Sequence, residues 1–558
     1  MFEKTIRGAA HAAWLASCWA PYRSLRRTQK NPAVPQAALL DRLLRSNAAS
    51  AYGQKFGFGR LRNAREFQSA VPIVGYEEIR PWVERIKAGE QAVLTEEPVL
   101  MLEKTSGSST AAKYIPYTAS LRREFQRAVG AWMFDLYAHN PTLVHGAAYW
   151  AITPLARDPE ITSGGLRIGF ENDTEYLDAT ERVLLRKILA VPEEVARIPE
   201  LDTALYVTLR YLLQSESLRF LSVWAPSFLT VLIEHLNNNA DRLLADLHDG
   251  TLRPPATLHA AIASSLHLSL RADPSRARRL EAARHENRRL RTQDMWPNLR
   301  VISCWTDASS RTAVPAVREL FPGVLIQGKG LLATEGVVSL PLVEHGACVA
   351  AATSHFYEFI EQPGTTPRLL HELEPNREYS VLLTTGGGLY RYRLGDRVRV
   401  TGFAQNTPLL EFLGKEDGVS DLCGEKLSPA FVGCVLEELA GERAYLSDFA
   451  MLAPSQQESL RYVLFVQGAA SETDLAIRLD KKLTQNPHYA YCRQLGQLAA
   501  PRVFQITRNA GECYLRRCLA MGQRAGAVKA VALHRLTGWE DFFRGDWTEH
   551  SAKREVDA

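Results

Sequence analysis

The feature that most constrains the fold is a change in the rhythm of apolar residues along the chain. Residues 180–250 read as mostly helical, with a buried centre at 220–236, whereas from 296 onward short apolar runs bounded by turns take over. The runs at 299–303, 324–327, 347–352, 379–384 and 397–401 each predict a strand. Upstream, 35–50 and 119–138 carry helical spacing, 70–74 is a short extended piece, 145–153 reads as a buried strand, and 164–169 is a Gly-rich turn. Helices followed by closely connected strands predict a mixed α/β (α+β) protein whose β-sheets are flanked by helices. A polar, Gly-flanked stretch at Gly414–Gly418 predicts a linker. It would separate a large N-terminal domain, 1–413, from a smaller α+β domain, 419–558. In that second domain 428–440 and 471–484 read as helices, and 445–452 and 461–467 as strands.

With 46% hydrophobic residues among 558, the chain has ample material for a core and none of the composition of a disordered protein. Its net charge of +4 comes from one place: residues 271–293 hold eight Arg against three acids. Asp273-Pro274 reads as an N-cap followed by Pro at the first helical position, so this segment predicts a polar helix with a solvated face. No aromatic residues interleave with its arginines, and nucleic acid is not expected as a partner. The eight cysteines form no CxxC pair, which argues for reduced thiols in a cytoplasmic protein and against a disulfide scaffold or zinc site. The stretch Gly8–Ala20 follows Lys4 and Arg7 as a leader would, yet His11, Trp14 and Trp19 make it a packing helix. No run approaches the ~20 apolar residues of a membrane span, so no membrane association is expected. Neither a metal spacing among the His residues nor a nucleophile elbow stands out.

Three polar segments carry chemistry. Thr105-Ser-Gly-Ser-Ser-Thr-Ala-Ala-Lys113 is a hydroxyl-rich turn closed by a cation. Backbone N–H groups, hydroxyls and an ammonium together make a polyphosphate cradle, although this is not a Walker A loop. Gly330-Leu-Leu-Ala-Thr-Glu335 follows an apolar strand and places a carboxylate at a strand end, suited to a metal bound to phosphate. Gly388-Leu-Tyr-Arg-Tyr-Arg-Leu-Gly-Asp396 ends in an Asp after Gly, suited to grip a ribose diol.

In this order the segments resemble the acyl-adenylate-forming superfamily. The chain resembles more closely the Gretchen Hagen (auxin-responsive) family of acyl-acid amido synthetases, in its bacterial type, over almost its whole length. The likeness extends to Gln36, Asn47, Tyr52-Gly53, Phe67, Val71-Pro-Ile73, Tyr76, Gly89, Trp224-Ala-Pro-Ser-Phe-Leu229, Trp296-Pro297, Phe356-Tyr-Glu-Phe359, Asn486-Pro-His-Tyr489, Leu495-Gly-Gln497 and Gly522-Gln523 through Lys529.

The resemblance implies a two-step reaction. A carboxylic acid attacks the α-phosphate of MgATP to give acyl-AMP and pyrophosphate, and an amine or amino acid then displaces AMP. By the same resemblance Thr105, Ser106, Gly107, Ser108, Ser109 and Lys113 would hold the β- and γ-phosphates. Thr334 and Glu335 would sit at the α-phosphate and Mg²⁺, Leu331 and Tyr390 at the nucleotide, and Asp396 at the ribose. Lys529 would reach the reacting oxygens during adenylation, where a cation meets shifting negative charge. Asp417 would be the hinge, and Lys426 a further active-site contact. The large residues Tyr149, Trp224, Phe228 and Trp305 are candidates for an acyl pocket. Two alternatives stay open from sequence: CoA or a carrier protein as the acceptor, and a non-catalytic nucleotide-binding or interaction protein.

Overall fold

The computed structural model of the chain describes residues 2–105, 113–151, 160–169, 179–362, 364–416, 420, 422–423, 425–443, 449–455, 457, 459–468, 474–521, 523 and 528–548. It divides into two compact units. The first comprises Met1–Val223, His235–Trp305 and Gly323–Leu413; the second comprises Trp224–Glu234, Thr306–Pro322 and Gly414–Ala558. The last segment of the first unit ends at Leu413, immediately before the Gly-flanked stretch. The second unit also takes in 224–234 and 306–322, two segments the sequence places in the N-terminal part.

The first unit is built on two principal sheets. One is parallel, with strands in the order Ala147–Trp150, Leu218–Ser222, Val301–Cys304 and Leu325–Gly328. The chain between these strands carries helices, as parallel pairing requires. The other sheet has seven strands, ordered Ser339–Leu342, Ala347–Ala350, Thr407–Lys415, Tyr392–Ala404, Glu378–Thr384, Phe356–Ile360 and Arg368–Leu369. Antiparallel pairing joins Ser339–Leu342 to Ala347–Ala350, Phe356–Ile360 to Glu378–Thr384, and Glu378–Thr384 to Tyr392–Ala404. Phe356–Ile360 is buried along its whole length, so even Glu358 faces the interior. A smaller sheet contains the antiparallel pair Met101–Thr105 and Lys113–Tyr117.

The helix Phe2–Thr28 packs on Ala119–His139. Trp14 is buried there with its ring edge-on to Tyr137. The apolar N-terminal run is thus a packing helix. Among the described residues no helix is long and apolar enough to cross a membrane.

The Arg-rich helix spans Pro274–Asn287, and the Asp273 side chain accepts from the Arg276 backbone N–H as its N-cap. One expectation fails here. Arg276 is not on a solvated face; it is buried, with Nε donating to Leu213 O and Nη2 to Met295 O, each at 2.6 Å. In a periodic polar helix nothing local distinguishes Arg276 from its neighbours.

The second unit has a four-stranded sheet, ordered Phe449–Ser455, Arg461–Gln467, Arg502–Ile506 and Gly545–Trp547, with a parallel pair at its centre. Helices Pro429–Arg443, Leu475–Leu483, Pro487–Gln494 and Ala510–Ala520 accompany it. Leu436, Leu464, Leu479 and Tyr489 belong to its core.

Candidate active site

Ligands of parallel sheets meet the carboxyl ends of the strands, and in the first unit that edge is polar. Lys329, just past the strand Leu325–Gly328, is 3% exposed, and its Nζ donates to Ser222 Oγ at 2.6 Å. The ammonium also lies 4.9 Å from the centre of the Trp132 ring, a cation–π contact. Trp132 Nε1 in turn donates to Gln327 Oε1 at 3.0 Å. Burial pushes the neighbouring Cys304 thiol up to about 11, against the pull of the Lys329 charge.

Immediately downstream, Leu332–Ala333 and Gly336–Val337 pair as a minimal hairpin with Thr334 and Glu335 at its turn. Its backbone is held on several sides. Tyr117 Oη donates to Thr334 O at 2.7 Å, Tyr357 Oη donates to Val337 O at 2.6 Å, and Val337 N–H donates to His355 Nε2 at 3.0 Å. Gly336 is required by proximity rather than by φ: a Cβ there would lie 2.9 Å from His355 Nε2. Glu335 is mostly buried at 8% exposure.

Asp396 sits in a distortion of the seven-stranded sheet. The ladder between Glu378–Thr384 and Tyr392–Ala404 jumps from Leu382↔Arg393 to Ser380↔Arg397, so extra residues bulge out around Leu394-Gly395-Asp396. Gly395 takes the left-handed φ of 73° that such a bulge demands. A bulge re-aims the side chains beside it, and this one carries Asp396, which is 2% exposed.

Thr105 and Lys113 are register partners at the open end of their strand pair; Ser106, Gly107, Ser108 and Ser109 lie outside the described residues. Side-chain-to-backbone bonds connect this strand pair to the other two segments. Tyr117 reaches Thr334 as above, and the next residue, Thr118, donates through Oγ1 to Gly386 O at 2.7 Å, on the segment leading to Asp396. Hydrogen bonds therefore join the end of the Lys113–Tyr117 strand and the residue after it to the Thr334–Glu335 turn and to the segment leading to Asp396.

Tyr390, expected at the nucleotide, has another place. Its ring is stacked on Tyr52 with centroids 5.2 Å apart, and its hydroxyl donates to Leu94 O at 2.9 Å. Burial raises its phenol well above the usual value, and the side chain is core. Leu331 likewise lies in the core cluster, with its backbone N–H donating to Ser339 Oγ at 3.0 Å. Of the acyl-pocket candidates, Tyr149 and Trp305 belong to the first unit, Trp224 and Phe228 to the second.

In the second unit Lys529 follows the buried Val528, and its carbonyl accepts a hydrogen bond from Tyr514 Oη at 2.8 Å. Lys426 is exposed with a left-handed φ of 46°. Asp417 lies outside the described residues. Cys423, Glu425 and Cys492 cluster with their polar atoms within 4.8 Å of one another. Glu425 already accepts from Leu422 N, Cys423 N, Cys423 Sγ and Tyr462 Oη. Burial, first among several causes, pushes the Cys423 thiol up to about 12. With the carboxylate saturated and that thiol protonated, the trio is a hydrogen-bonded cluster.

Lys329, Glu124, His355 and Arg391 escape the sequence reading. Only Arg391 lies within a recognised segment, and a buried His beside Phe356-Tyr-Glu-Phe359 has no local signature.

The chain is similar to known proteins over most of its length. Residues 21–326 match the GH3 family N-terminal domain, 348–415 the GH3 family central domain and 432–535 the GH3 family C-terminal domain. A probable indole-3-acetic acid-amido synthetase of Oryza sativa subsp. japonica is 24% identical, covering 90% of this chain and 91% of the relative. A jasmonoyl–L-amino acid synthetase of Nicotiana attenuata is 23% identical, covering 90% of each. Among solved structures, a GH3.15 acyl acid amido synthetase superposes with a TM-score of 0.79 at 20% identity, covering 93% of this chain and 94% of that one. With its first domain match alone spanning more than half of its length, the chain belongs to the GH3 family, the Gretchen Hagen acyl-acid amido synthetases.

Proposed function

We propose that this protein is an ATP-dependent acyl-acid amido synthetase. A carboxylate oxygen attacks the α-phosphorus of ATP, the bond to the β-phosphate breaks, and pyrophosphate leaves acyl-AMP behind. The nitrogen of an amine or amino acid then attacks the acyl carbon, AMP departs, and the nitrogen gives up its proton. The observation that carries this reading is the linkage of the Thr105–Lys113 strand pair, the Thr334–Glu335 turn and the segment before Asp396 through Tyr117 and Thr118. The names of the relatives, an indole-3-acetic acid-amido synthetase and a jasmonoyl–L-amino acid synthetase, support the acceptor class.

In this reading the hydroxyls and backbone of 105–109, with Lys113, hold the β- and γ-phosphates. Thr334 and Glu335 face the α-phosphate, and Asp396 takes the ribose hydroxyls. Mg²⁺ suits the donor set: it is bound by one or two carboxylates together with phosphate oxygens and water, and Glu335 offers such a carboxylate on a turn whose backbone is held from several sides. When bound, the ion would supply charge neutralisation at the phosphates. Leu331 backs the nucleotide from the core, and Lys426 is a further contact of the second unit. Lys529 stabilises the negative charge that develops on the oxygens in the adenylation step. Asp417 serves as the hinge for rotation of the C-terminal domain between half-reactions. Tyr149, Trp224, Phe228 and Trp305 are the acyl-pocket candidates.

An ATP–pyrophosphate exchange screen over a panel of carboxylic acids tests the first half-reaction, and mass analysis with amino acids or CoA added tests the second. Exchange followed by amide formation is expected. No exchange with any acid would overturn the proposal, and CoA thioesters without amides would replace the acceptor.

A further inference from the structure

A buried ionisable pair outside the three polar segments bonds to the backbone beside two of them. Glu124, on the helix Ala119–His139, is 2% exposed, and His355, just before the strand Phe356–Ile360, is fully buried. Glu124 Oε2 and His355 Nδ1 are 2.8 Å apart. The protonation pattern follows from the neighbours. His355 Nε2 accepts the Val337 backbone N–H at 3.0 Å and therefore carries no hydrogen. The ring proton is on Nδ1 and is donated to Glu124, which must be the acceptor. Glu124 simultaneously takes the Gly386 N–H on both oxygens, at 3.1 and 2.9 Å.

The backbone is cut away to admit the pair at both ends. A Cβ on Gly386 would stand 2.9 Å from Glu124 Oε1, and one on Gly336 would stand 2.9 Å from His355 Nε2. Val337 is two residues from Glu335, and Gly386 begins the glycine run that leads to Asp396. The helix that carries Glu124 starts directly after the strand from Lys113. An apolar pair of equal volume would leave the N–H groups of Val337 and Gly386 buried without acceptors. A directional pair fixes the relative setting of the segments instead.

We infer that Glu124 and His355 are positioning residues for adenylation, holding the Thr334–Glu335 turn in register with the segment that carries Asp396. The inference rests on the functional reading above and deepens it. Neither side chain touches the reacting atoms; both act through backbone N–H groups.

Three substitutions separate the links. Glu124→Gln presents an amide N–H to His355 Nδ1, which drives the ring proton to Nε2 and sets it against the Val337 N–H. His355→Asn retains a donor toward Glu124 and removes the acceptor for Val337. His355→Gln places an acceptor near the Val337 N–H. The full-length chain, labelled with ¹⁵N-histidine, reports the His355 tautomer by NMR; the Nδ1–H form is expected, and the Nε2–H form would overturn the inference. Each variant is then compared for melting temperature, for ATP–pyrophosphate exchange as a function of Mg²⁺, and for amide formation from chemically prepared acyl-AMP.

Glu124→Gln and His355→Asn are expected to lower kcat for exchange per folded molecule by about 10- to 100-fold and to raise the Mg²⁺ requirement. Transfer from acyl-AMP stays essentially unchanged, and His355→Gln recovers part of the loss. A merely structural pair would lower the melting temperature and leave kcat and the Mg²⁺ dependence of the folded fraction intact, which would overturn the role. So would equal loss in both half-reactions. Absence of exchange in the parent chain with every acid would instead bring down the functional reading itself, and this role with it.

Discussion

The Arg391 guanidinium lies 2.9 Å from the Glu358 carboxylate in a site where the two side chains are only 4% and 1% exposed. Gln68 Nε2 adds a third partner to Glu358 Oε1, and Arg391 Nη1 donates to both Gln68 O and Val71 O. Arg391 holds this arrangement from a left-handed backbone, φ 49°, at the entry to the strand that carries Asp396. The pair thereby joins the second strand-forming region of the sheet to the N-terminal helices.

Removing one member leaves the other charge buried without compensation, which costs about 3–5 kcal/mol. Arg391→Met is therefore expected to lower the urea-unfolding midpoint of the full chain by a corresponding amount. The double variant Arg391→Met, Glu358→Leu should recover part of that loss, because the stranded carboxylate is gone. A single variant as stable as the parent would refute the assigned energetics.

Lys529 sits on a loop tied at its own carbonyl and again a few residues further on. Tyr514 donates to its carbonyl, and Leu452 N–H donates to Ala532 O at 2.8 Å a few residues on. Lys529→Ala is expected to slow pyrophosphate release by about 10²-fold while amine transfer from supplied acyl-AMP changes little. Rapid-quench assays of the two half-reactions give the comparison, and equal losses in both would count against the assignment.

How much of this was legible in the sequence depends on the range over which each feature is defined. The strands at 299–303, 379–384 and 461–467 announce themselves because their burial is written in consecutive residues. Glu335 and Asp396 are legible as candidates because each closes a short polar segment that follows an apolar strand, whereas the bulge that carries Asp396 is not legible, since register exists only between two strands. Glu124 and His355 stand 231 residues apart and acquire a meaning only across that separation. Tyr390, which the resemblance puts at the nucleotide, has its ring stacked on Tyr52, 338 positions earlier in the chain, a neighbour that no local pattern names.

The Arg-rich helix makes the same point with a measurable consequence. Arg276 serves two backbone carbonyls and lies 3.3 Å from Glu216, while the nearby Arg278 is exposed and donates to Pro274 O of its own helix. Arg276→Ala should cost about 3 kcal/mol by leaving those carbonyls unsatisfied, against at most about 0.5 kcal/mol for Arg278→Ala. Urea unfolding of the two variants side by side provides the check, and equal effects would mean the buried contacts contribute nothing.

The second unit carries a pH dependence of its own. His534 Nδ1 accepts the Leu536 N–H at 3.1 Å, and its ring meets Trp539 edge-on with centroids 4.8 Å apart. Burial, reinforced by repulsion from Arg517, lowers its pKa from 6.5 to about 4. The sign follows from proton counting. Above pH 6.5 both the folded and unfolded imidazoles are neutral and contribute no slope. Between 6.5 and about 4 the unfolded chain binds a proton that the folded chain refuses, so stability falls on acidification. The slope from this one group reaches at most about 1.4 kcal/mol per pH unit. His534→Gln keeps an acceptor for Leu536 and should flatten that part of the profile. NMR titration of the parent should place the His534 midpoint near 4; a midpoint at the unperturbed value would show that protonation of this ring does not oppose folding.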